Sequence, residues 1–199
     1  MKTLIAATGL VALSLPAQAN AQDTGFSGPR VQLDIAYDQL DASDDYVDLP
    51  RHFNTATIGI SAGYDHMVTK GLLVGAELGF GKPLGDKQIA HLGSDSLTAK
   101  PGRELYAAAR IGTPVTRSTL LFASAGYSNA GLNVVYHSGP DRYQINGTKG
   151  GFLWGGGVEQ KLGGSTFVSL AYRGAHYGDY RYALGARRAQ VRLGAGMRF

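Results

Sequence analysis

The sequence predicts an all-β protein: an eight-stranded antiparallel, up-and-down transmembrane β-barrel preceded by a signal peptide. Three observations lead to this prediction. Apolar and polar residues alternate with period two in eight segments, short and long connections alternate between them, and no segment of the mature chain is apolar enough for a transmembrane helix. Cysteine is absent, which excludes disulfides, thiolate catalysis and cysteine-ligated metal sites.

The N-terminal residues have the features of a secretory signal peptide. Lys2 supplies a positive charge, the apolar stretch Leu4–Leu15 follows it, and small-x-small sites place cleavage after Ala19 or Ala21. The expected domains are a signal peptide over residues 1–21 and a barrel domain over residues 22–199.

Each strand is predicted from its own alternation. In the first segment Val31, Leu33 and Ile35 share one face, whereas Gln32 and Asp34 occupy the other. The eight predicted strands cover residues 30–38, 56–65, 72–81, 105–112, 121–128, 152–160, 168–173 and 190–199.

The connections between the predicted strands also alternate. Three are tight, namely MVTKG (67–71), TPVTRS (113–118) and LGGS (162–165), and the remaining four are longer and polar. Short turns at one end and long loops at the other are typical of transmembrane barrels, in which the turns face the periplasm and the loops face the exterior.

The two faces of the predicted strands differ in composition. The larger apolar residues share one face, which is predicted to meet lipid, and glycines and charges share the other, which is predicted to line a narrow lumen. Leu120 and Phe122 are exceptions on the lumen side. The predicted lumen ion network consists of Asp34, Glu77, Arg110, Glu159, Arg173 and Arg192.

These six lumen charges are three acidic and three basic, so they can neutralise one another. Glu77 and Arg110 lie at similar heights on neighbouring predicted strands and are expected to pair. Glu159 is expected to reach either Arg192 or Arg198.

Three segments resemble a known family: GFLWGGGVEQKL (151–162), FVSLAYRG (167–174) and VRLGAGMRF (191–199). In order and spacing they are similar to the small eight-stranded "porin family"/OmpA-like outer-membrane barrels of Gram-negative bacteria. Such barrels often read Glu-Tyr-Arg where this chain has Ala171, Tyr172 and Arg173, so one expected lumen charge is missing.

The resemblance implies a location and partners. The protein is expected in the cell outer membrane, in contact with outer-membrane lipids and lipopolysaccharide, and as a client of the barrel-assembly machinery. Phe199, with Met197 and Ala195 at alternate positions before it, matches the assembly signal of such clients. A monomer is expected.

The expected function is a non-enzymatic structural and surface-interaction role in the bacterial envelope, with the loops available to an extracellular ligand. Tyr177, Tyr180, Arg181 and Tyr182 cluster in one predicted loop and are candidate contacts. An upper aromatic girdle is an equal explanation for these residues. Nucleic-acid binding is not expected, because the net charge of +4 is not gathered into a basic stripe.

The sequence leaves two other functions open. A small-solute porin-like channel is the first alternative, although eight strands leave an interior that side chains can fill. A lipid A-modifying hydrolase is the second, because GYSNAG (126–131) resembles the His-x-Ser-Asn motif of outer-membrane lipid A deacylases. Gly126 stands in the histidine position, so Ser128 lacks the base that a nucleophilic serine needs, and His137 is not a convincing substitute.

No cofactor or metal is expected. Asp41, Ser43 and Asp45 have the spacing of a calcium loop, but Tyr46 and His52 replace its glycine and glutamate. The histidines at 91, 137 and 176 lie in different loops without ligand-like spacing.

Overall fold

The computed structural model describes residues 25–43, 52–85, 88–92, 95–138, 141–177 and 185–199. These residues form nine β-strands: β1 (Gly28–Ser43), β2 (His52–Thr69), β3 (Leu72–Pro83), β4 (Gln88–Leu92), β5 (Asp95–Pro114), β6 (Thr119–Ser138), β7 (Asp141–Gly163), β8 (Thr166–Tyr177) and β9 (Gly185–Arg198). Within these residues no helix is long and apolar enough to cross a membrane.

Eight of the strands close into an antiparallel barrel. Each barrel strand pairs with its neighbour in the chain, β3 pairs with β5, and β9 returns to pair with β1. Strand β4 pairs with the first part of β5 and forms a side hairpin. The predicted fold class is therefore confirmed, and β4 is an addition that the sequence pattern did not reveal.

The register around the barrel fixes the tilt of its strands. Starting at Asp38 and following paired residues through β9, β8, β7, β6, β5, β3 and β2 leads back to Gly28 on β1. One circuit thus shifts the register by ten residues, because 38 − 28 = 10. A shift of this size in an eight-stranded barrel corresponds to strands tilted by about 45°.

Side chains alternate between the outside and the interior as the sequence predicts. Leu33 is 66% exposed on the outer face, whereas Arg30 on the same strand is 2% exposed inside. The exceptions Leu120 and Phe122 also have interior roles. Leu120 packs with Phe26 and Leu73 in an apolar cluster, and the Arg110 guanidinium lies 3.9 Å from the Phe122 ring centroid.

The three predicted tight turns are confirmed, and we call their end of the barrel the short-turn end and the opposite end the long-loop end. β2 ends at Thr69 before β3 begins at Leu72, and comparable short links join β5 to β6 and β7 to β8.

At the short-turn end Arg198 Nη1 donates a hydrogen bond of 2.5 Å to the Phe26 carbonyl. Residues 25–27, the described residues before β1, therefore fold across this mouth.

The predicted long loop between residues 129 and 151 is largely a β-hairpin instead. Strands β6 and β7 stay paired from Thr119 opposite Gln160 to Ser138 opposite Asp141. Alternation continues through this segment, with Leu132, Val134 and Tyr136 at every second position, and period-two alternation favours a strand. We call the part beyond Asn129 and Gly150 the β6–β7 hairpin.

Candidate functional site

The ion pairs of the described barrel interior join equal numbers of arginines and carboxylates. Among the described residues, twelve charged side chains form its ion pairs: Arg30, Arg110, Arg173, Arg188, Arg192, Arg198, Asp34, Asp38, Asp65, Glu77, Glu104 and Glu159. Six arginines thus face six carboxylates. Charges survive burial when each is paired and hydrogen-bonded, and this interior meets that condition for every member.

The densest cluster lies toward the short-turn end and is centred on Asp65. Its Oδ2 atom accepts hydrogen bonds from Arg30 (3.1 Å), Arg110 (2.8 Å) and Arg198 (2.9 Å). Glu159 accepts from Arg110 and Arg198, each at 2.8 Å. One fully buried carboxylate therefore holds three guanidinium groups that come from three different strands.

A second cluster fills the middle of the barrel around Glu77 and Tyr106. Glu77 accepts from Arg30 at 2.5 Å, from Arg173 at 3.1 Å and from the Tyr106 hydroxyl at 2.7 Å. The Arg173 guanidinium also lies 3.9 Å from the centroid of the Tyr106 ring. Arg192 pairs with Asp34 at 2.6 Å. The aromatic ring and these ion pairs together block the lumen at this level.

A third cluster lies toward the long-loop end around Arg188. This side chain pairs with Asp38 at 3.1 Å and with Glu104 at 2.8 Å. Thr57 donates a hydrogen bond to Asp38, and Ser128 donates one of 2.7 Å to Glu104. The network thus continues through the described length of the barrel.

The six sequence-predicted lumen residues all lie inside, but their pairing differs in part from the prediction. Glu77 does not pair with Arg110, because the register sets Ala108 opposite Glu77 and Gly75 opposite Arg110. Of the two expected partners for Glu159, the structure selects Arg198.

Several network members were missed at the sequence level. Arg30, Tyr106, Glu104 and Arg188 share the lumen parity of their strands, so parity was the available signal. Arg188 lies before the predicted strand 190–199, and Glu104 lies just before the predicted strand 105–112.

Ser128 lies in the interior, away from lipid. It is fully buried, and its hydroxyl contacts Glu104 and the Tyr177 hydroxyl, the latter at 3.2 Å. A Cβ atom on Gly126 would lie 2.0 Å from the Ala107 carbonyl oxygen. Close packing thus explains why glycine occupies the position that a base would need. The side chain of His137 lies outside the described part of the chain.

Two cavities in the middle of the described lumen are small. One cavity between Arg30, Glu77 and Arg173 has a volume of about 30 Å³, and another beside Thr57 and Tyr106 has about 10 Å³. Cavities of this size hold one or two water molecules each at most.

Tyr177 was predicted as a loop contact, and this prediction is wrong. Strand β8 extends to Tyr177, and the alternation turns its side chain inward, where it is 3% exposed and packs with Tyr106 and Leu153. The other predicted contacts, Tyr180, Arg181 and Tyr182, lie outside the described residues.

The predicted assembly-signal residues share the outer face of β9 and its end. Met197 and Phe199 are exposed there, Phe199 by 65%, and Ala195 is exposed on the same face. The Phe199 backbone N–H donates a hydrogen bond of 2.8 Å to the Pro29 carbonyl, which continues the pairing with β1.

The residues with calcium-loop spacing and two of the three loop histidines have side chains outside the described part of the chain. Asp45 and the side chains of Asp41, Ser43 and His91 lie outside the described part of the chain, and His176 is exposed on the outer face. Among the described side chains no group of three His, Asp or Glu residues could hold a metal ion.

The chain is similar in fold to solved structures of two outer-membrane proteins. Neisserial surface protein A (NspA) superposes with a TM-score of 0.58 at 17% identity, over 87% of this chain and 98% of that one. Ail, the attachment invasion locus protein of Yersinia pestis, gives a TM-score of 0.52 at 14% identity, over 87% and 99% of the two chains. At these identities the likeness establishes the fold.

A second structure of Ail, in complex with the heparin analogue sucrose octasulfate, gives a TM-score of 0.50 at 12% identity over 86% and 99% of the chains. No curated protein sequence matches the chain significantly.

The sequence itself matches a family over nearly its whole length. Residues 5–199 match the family described as "Outer membrane protein beta-barrel domain". This match, the closed eight-stranded barrel and the outer-membrane neighbours agree with one another. The short-turn end is therefore the periplasmic end and the long-loop end the extracellular one. The chain belongs to the outer membrane protein beta-barrel domain family of the Gram-negative cell outer membrane.

Proposed function

We propose that the protein is a non-enzymatic outer-membrane anchor that presents the β6–β7 hairpin to an extracellular ligand. The observation that carries the proposal is the length of this hairpin above a barrel whose lumen is filled. Strand β6 has 20 residues and β7 has 23, whereas about 9–11 suffice for a strand to cross the membrane.

The length of strand β6 along the barrel axis can be compared with the height of the apolar band. Twenty residues at about 3.3 Å each span about 65 Å, and a tilt of about 45° reduces this to about 45 Å along the barrel axis. The apolar band of such barrels is about 25 Å tall. Continued pairing up to Ser138 and Asp141 makes this projection an ordered strand pair, and a rigid surface loses little entropy on binding.

The solved complex of Ail with sucrose octasulfate shows that a barrel of this architecture can bind a sulfated saccharide. That contact belongs to Ail. It makes heparin a suitable first probe for the present protein.

Shortening the β6–β7 hairpin is expected to abolish ligand contact while the barrel still assembles. Removing residues 134–145 joins Asn133 to Asn146, which are paired in the native register, so the remaining ladder keeps its alignment. Binding of outer-membrane vesicles to immobilised heparin and to cultured host cells would be measured. Removing β4 through residues 88–92 is the matched control, and it should leave binding unchanged. Equal binding by both deletions and the wild type would contradict the proposal.

The barrel itself is expected to conduct no steady current. Tyr106, Arg173 and Glu77 occupy the lumen at its middle, and eight strands leave room for side chains alone. Purified protein in planar bilayers should therefore show no stable nanosiemens-scale channel, with a sixteen-stranded porin as the positive control. A steady conductance of that size would instead favour the small-solute porin alternative.

A lipid A-modifying hydrolase receives no support from the placement of Ser128. A serine that attacks an ester needs an adjacent base and access to the lipid. Ser128 is fully buried on the lumen side, and Glu104, which accepts its hydroxyl hydrogen bond, is itself paired with Arg188.

A further inference from the structure

The larger of the two described lumen cavities is bordered by more positive than negative side chains. Asp34 and Glu77 are the carboxylates at its wall, and four arginines line the same space of about 30 Å³: Arg30, Arg110, Arg173 and Arg192. Asp65 and Glu159 pair with some of these arginines from the periplasmic side but do not line the cavity. We call this space the arginine cavity, and its wall carries an excess of positive charge.

Two of these arginines have an N–H group without a hydrogen-bond partner among the described residues. The two groups are Arg173 Nη1 and Arg110 Nε, and the two residues are only 7% and 4% exposed. A guanidinium has five N–H donors and no acceptor, and a buried donor that the protein leaves unbonded indicates a water molecule or an ion beside it. Strongly polar donors from two strands, β8 and β5, therefore border the same small space.

The other polar groups at the wall favour an anion over water. Both carboxylates, Asp34 and Glu77, already accept hydrogen bonds from arginine, and Glu77 accepts another from the Tyr106 hydroxyl. The hydroxyls of Ser124 and Ser169 also line the cavity, and a hydroxyl hydrogen can rotate towards an acceptor. A buried water molecule needs acceptors as well as donors, whereas a halide ion accepts from several donors and donates to none. The wall mainly provides donors.

The size of the arginine cavity suits a small monovalent ion. Its volume of about 30 Å³ is about twice the space of about 10–15 Å³ that one water molecule requires. A tetrahedral oxyanion, with four oxygens around its centre, exceeds this space. Attraction between an anion and a guanidinium is much stronger in a protein interior than in water, and this attraction offsets the cost of removing the ion from water.

We propose that the arginine cavity binds one chloride ion, which accepts hydrogen bonds from Arg110 Nε and Arg173 Nη1. The hydroxyls of Ser124 and Ser169 complete its shell of donors. The ion thereby joins β5, β6 and β8, the strands that carry these four residues. It also gives a partner to two buried N–H groups that the described carboxylates leave unbonded.

Chloride has to enter this site before the barrel is complete. Side chains of the Asp65 cluster fill the lumen on the periplasmic side of the cavity, and those of the Arg188 cluster fill it on the extracellular side. An ion taken up while β9 docks is therefore held until the barrel opens again. For this reason the protein has to be refolded in the presence of the anion that is tested.

Crystals of barrel refolded in sodium bromide identify the occupant of the cavity. Bromide replaces chloride with little change in size and scatters X-rays anomalously, whereas water does not. We expect an anomalous peak in contact with Arg110 Nε and Arg173 Nη1. A cavity without a bromide peak in the wild-type protein would overturn the proposal.

The chloride dependence of stability measures the same binding in solution. Urea unfolding in lipid vesicles would be followed at constant ionic strength, with gluconate, which is too large for the cavity, replacing chloride. Above the dissociation constant, each tenfold rise in chloride should raise the ratio of folded to unfolded wild-type protein about tenfold, as one bound ion requires. Equal stability in chloride and gluconate would overturn the proposal.

Ser124→Val tests the location of the site, with Ser61→Val as its matched control. Valine at 124 fills part of the cavity and removes a donor, whereas Ser61 lies on the lumen face of β2 and does not line the cavity. Valine suits a strand at both positions. Ser124→Val should lose the bromide peak and the chloride dependence, and Ser61→Val should keep both. Wild-type chloride dependence in Ser124→Val, or an equal loss in both variants, would overturn the site. If Ser124→Val does not fold, the wild-type bromide peak decides.

Discussion

Asp65→Ala is expected to lower the free energy of unfolding of the barrel by about 3–5 kcal/mol. The carboxylate is fully buried and accepts hydrogen bonds from Arg30, Arg110 and Arg198. Its removal leaves three buried guanidinium groups short of a partner, and an uncompensated buried charge costs far more than the net value of the pair that it lost. Denaturant unfolding in lipid vesicles would measure the change, with Trp154, the single tryptophan, as the reporter.

Ser61→Ala is the matched control for this variant. Ser61 lies on the same interior face of β2, is 2% exposed, and its hydroxyl has no hydrogen-bond partner. Removing a buried hydroxyl that is not bonded should change stability little or raise it. If Asp65→Ala and Ser61→Ala unfold at the same denaturant concentration, the Asp65 cluster does not stabilise the barrel.

Phe199→Asp is expected to reduce the outer-membrane yield severalfold while leaving the stability of the assembled barrel nearly unchanged. The side chain is on the outer face at the periplasmic border, and the backbone N–H carries the bond to Pro29. A carboxylate near the membrane interface costs about 1 kcal/mol or less. A large loss of yield would therefore indicate weaker recognition by the barrel-assembly machinery and not a less stable fold.

Phe199→Tyr is the control, because tyrosine keeps an aromatic ring that suits the interface. Quantitative immunoblotting of outer-membrane fractions gives the yield, and refolding into vesicles gives the stability. An unchanged yield for Phe199→Asp would show that the terminal residue has no role in assembly. If yield and stability fell together, the role of Phe199 would be to stabilise the fold.

The strand faces could be predicted because they depend on local alternation alone. Val31, Leu33 and Ile35 are apolar for the same reason that Asp34 is not: successive side chains point to opposite sides of the sheet. The lumen membership of Asp34 and Glu159 follows from the same rule, without knowledge of the partner strand.

The pairing inside the lumen could not be predicted, because it depends on the register between strands. Glu77 meets Arg30 and Arg173, which are far from it in sequence, only because the register shifts by ten residues in one circuit. Tyr177 was assigned to a loop because β8 extends further than its apolar pattern.

The distribution of the arginines among strands has a consequence for the order of assembly. Three of the six interior arginines, Arg188, Arg192 and Arg198, lie on β9, and none of the six carboxylates does. Of these twelve side chains, a partly folded sheet that lacks this last strand would contain six carboxylates and only three arginines, an excess of three negative charges within the set. Docking of β9 thus completes the hydrogen-bonded ring and balances these twelve charges in one event. Electrostatics therefore makes the open sheet an unstable intermediate and closure a cooperative step.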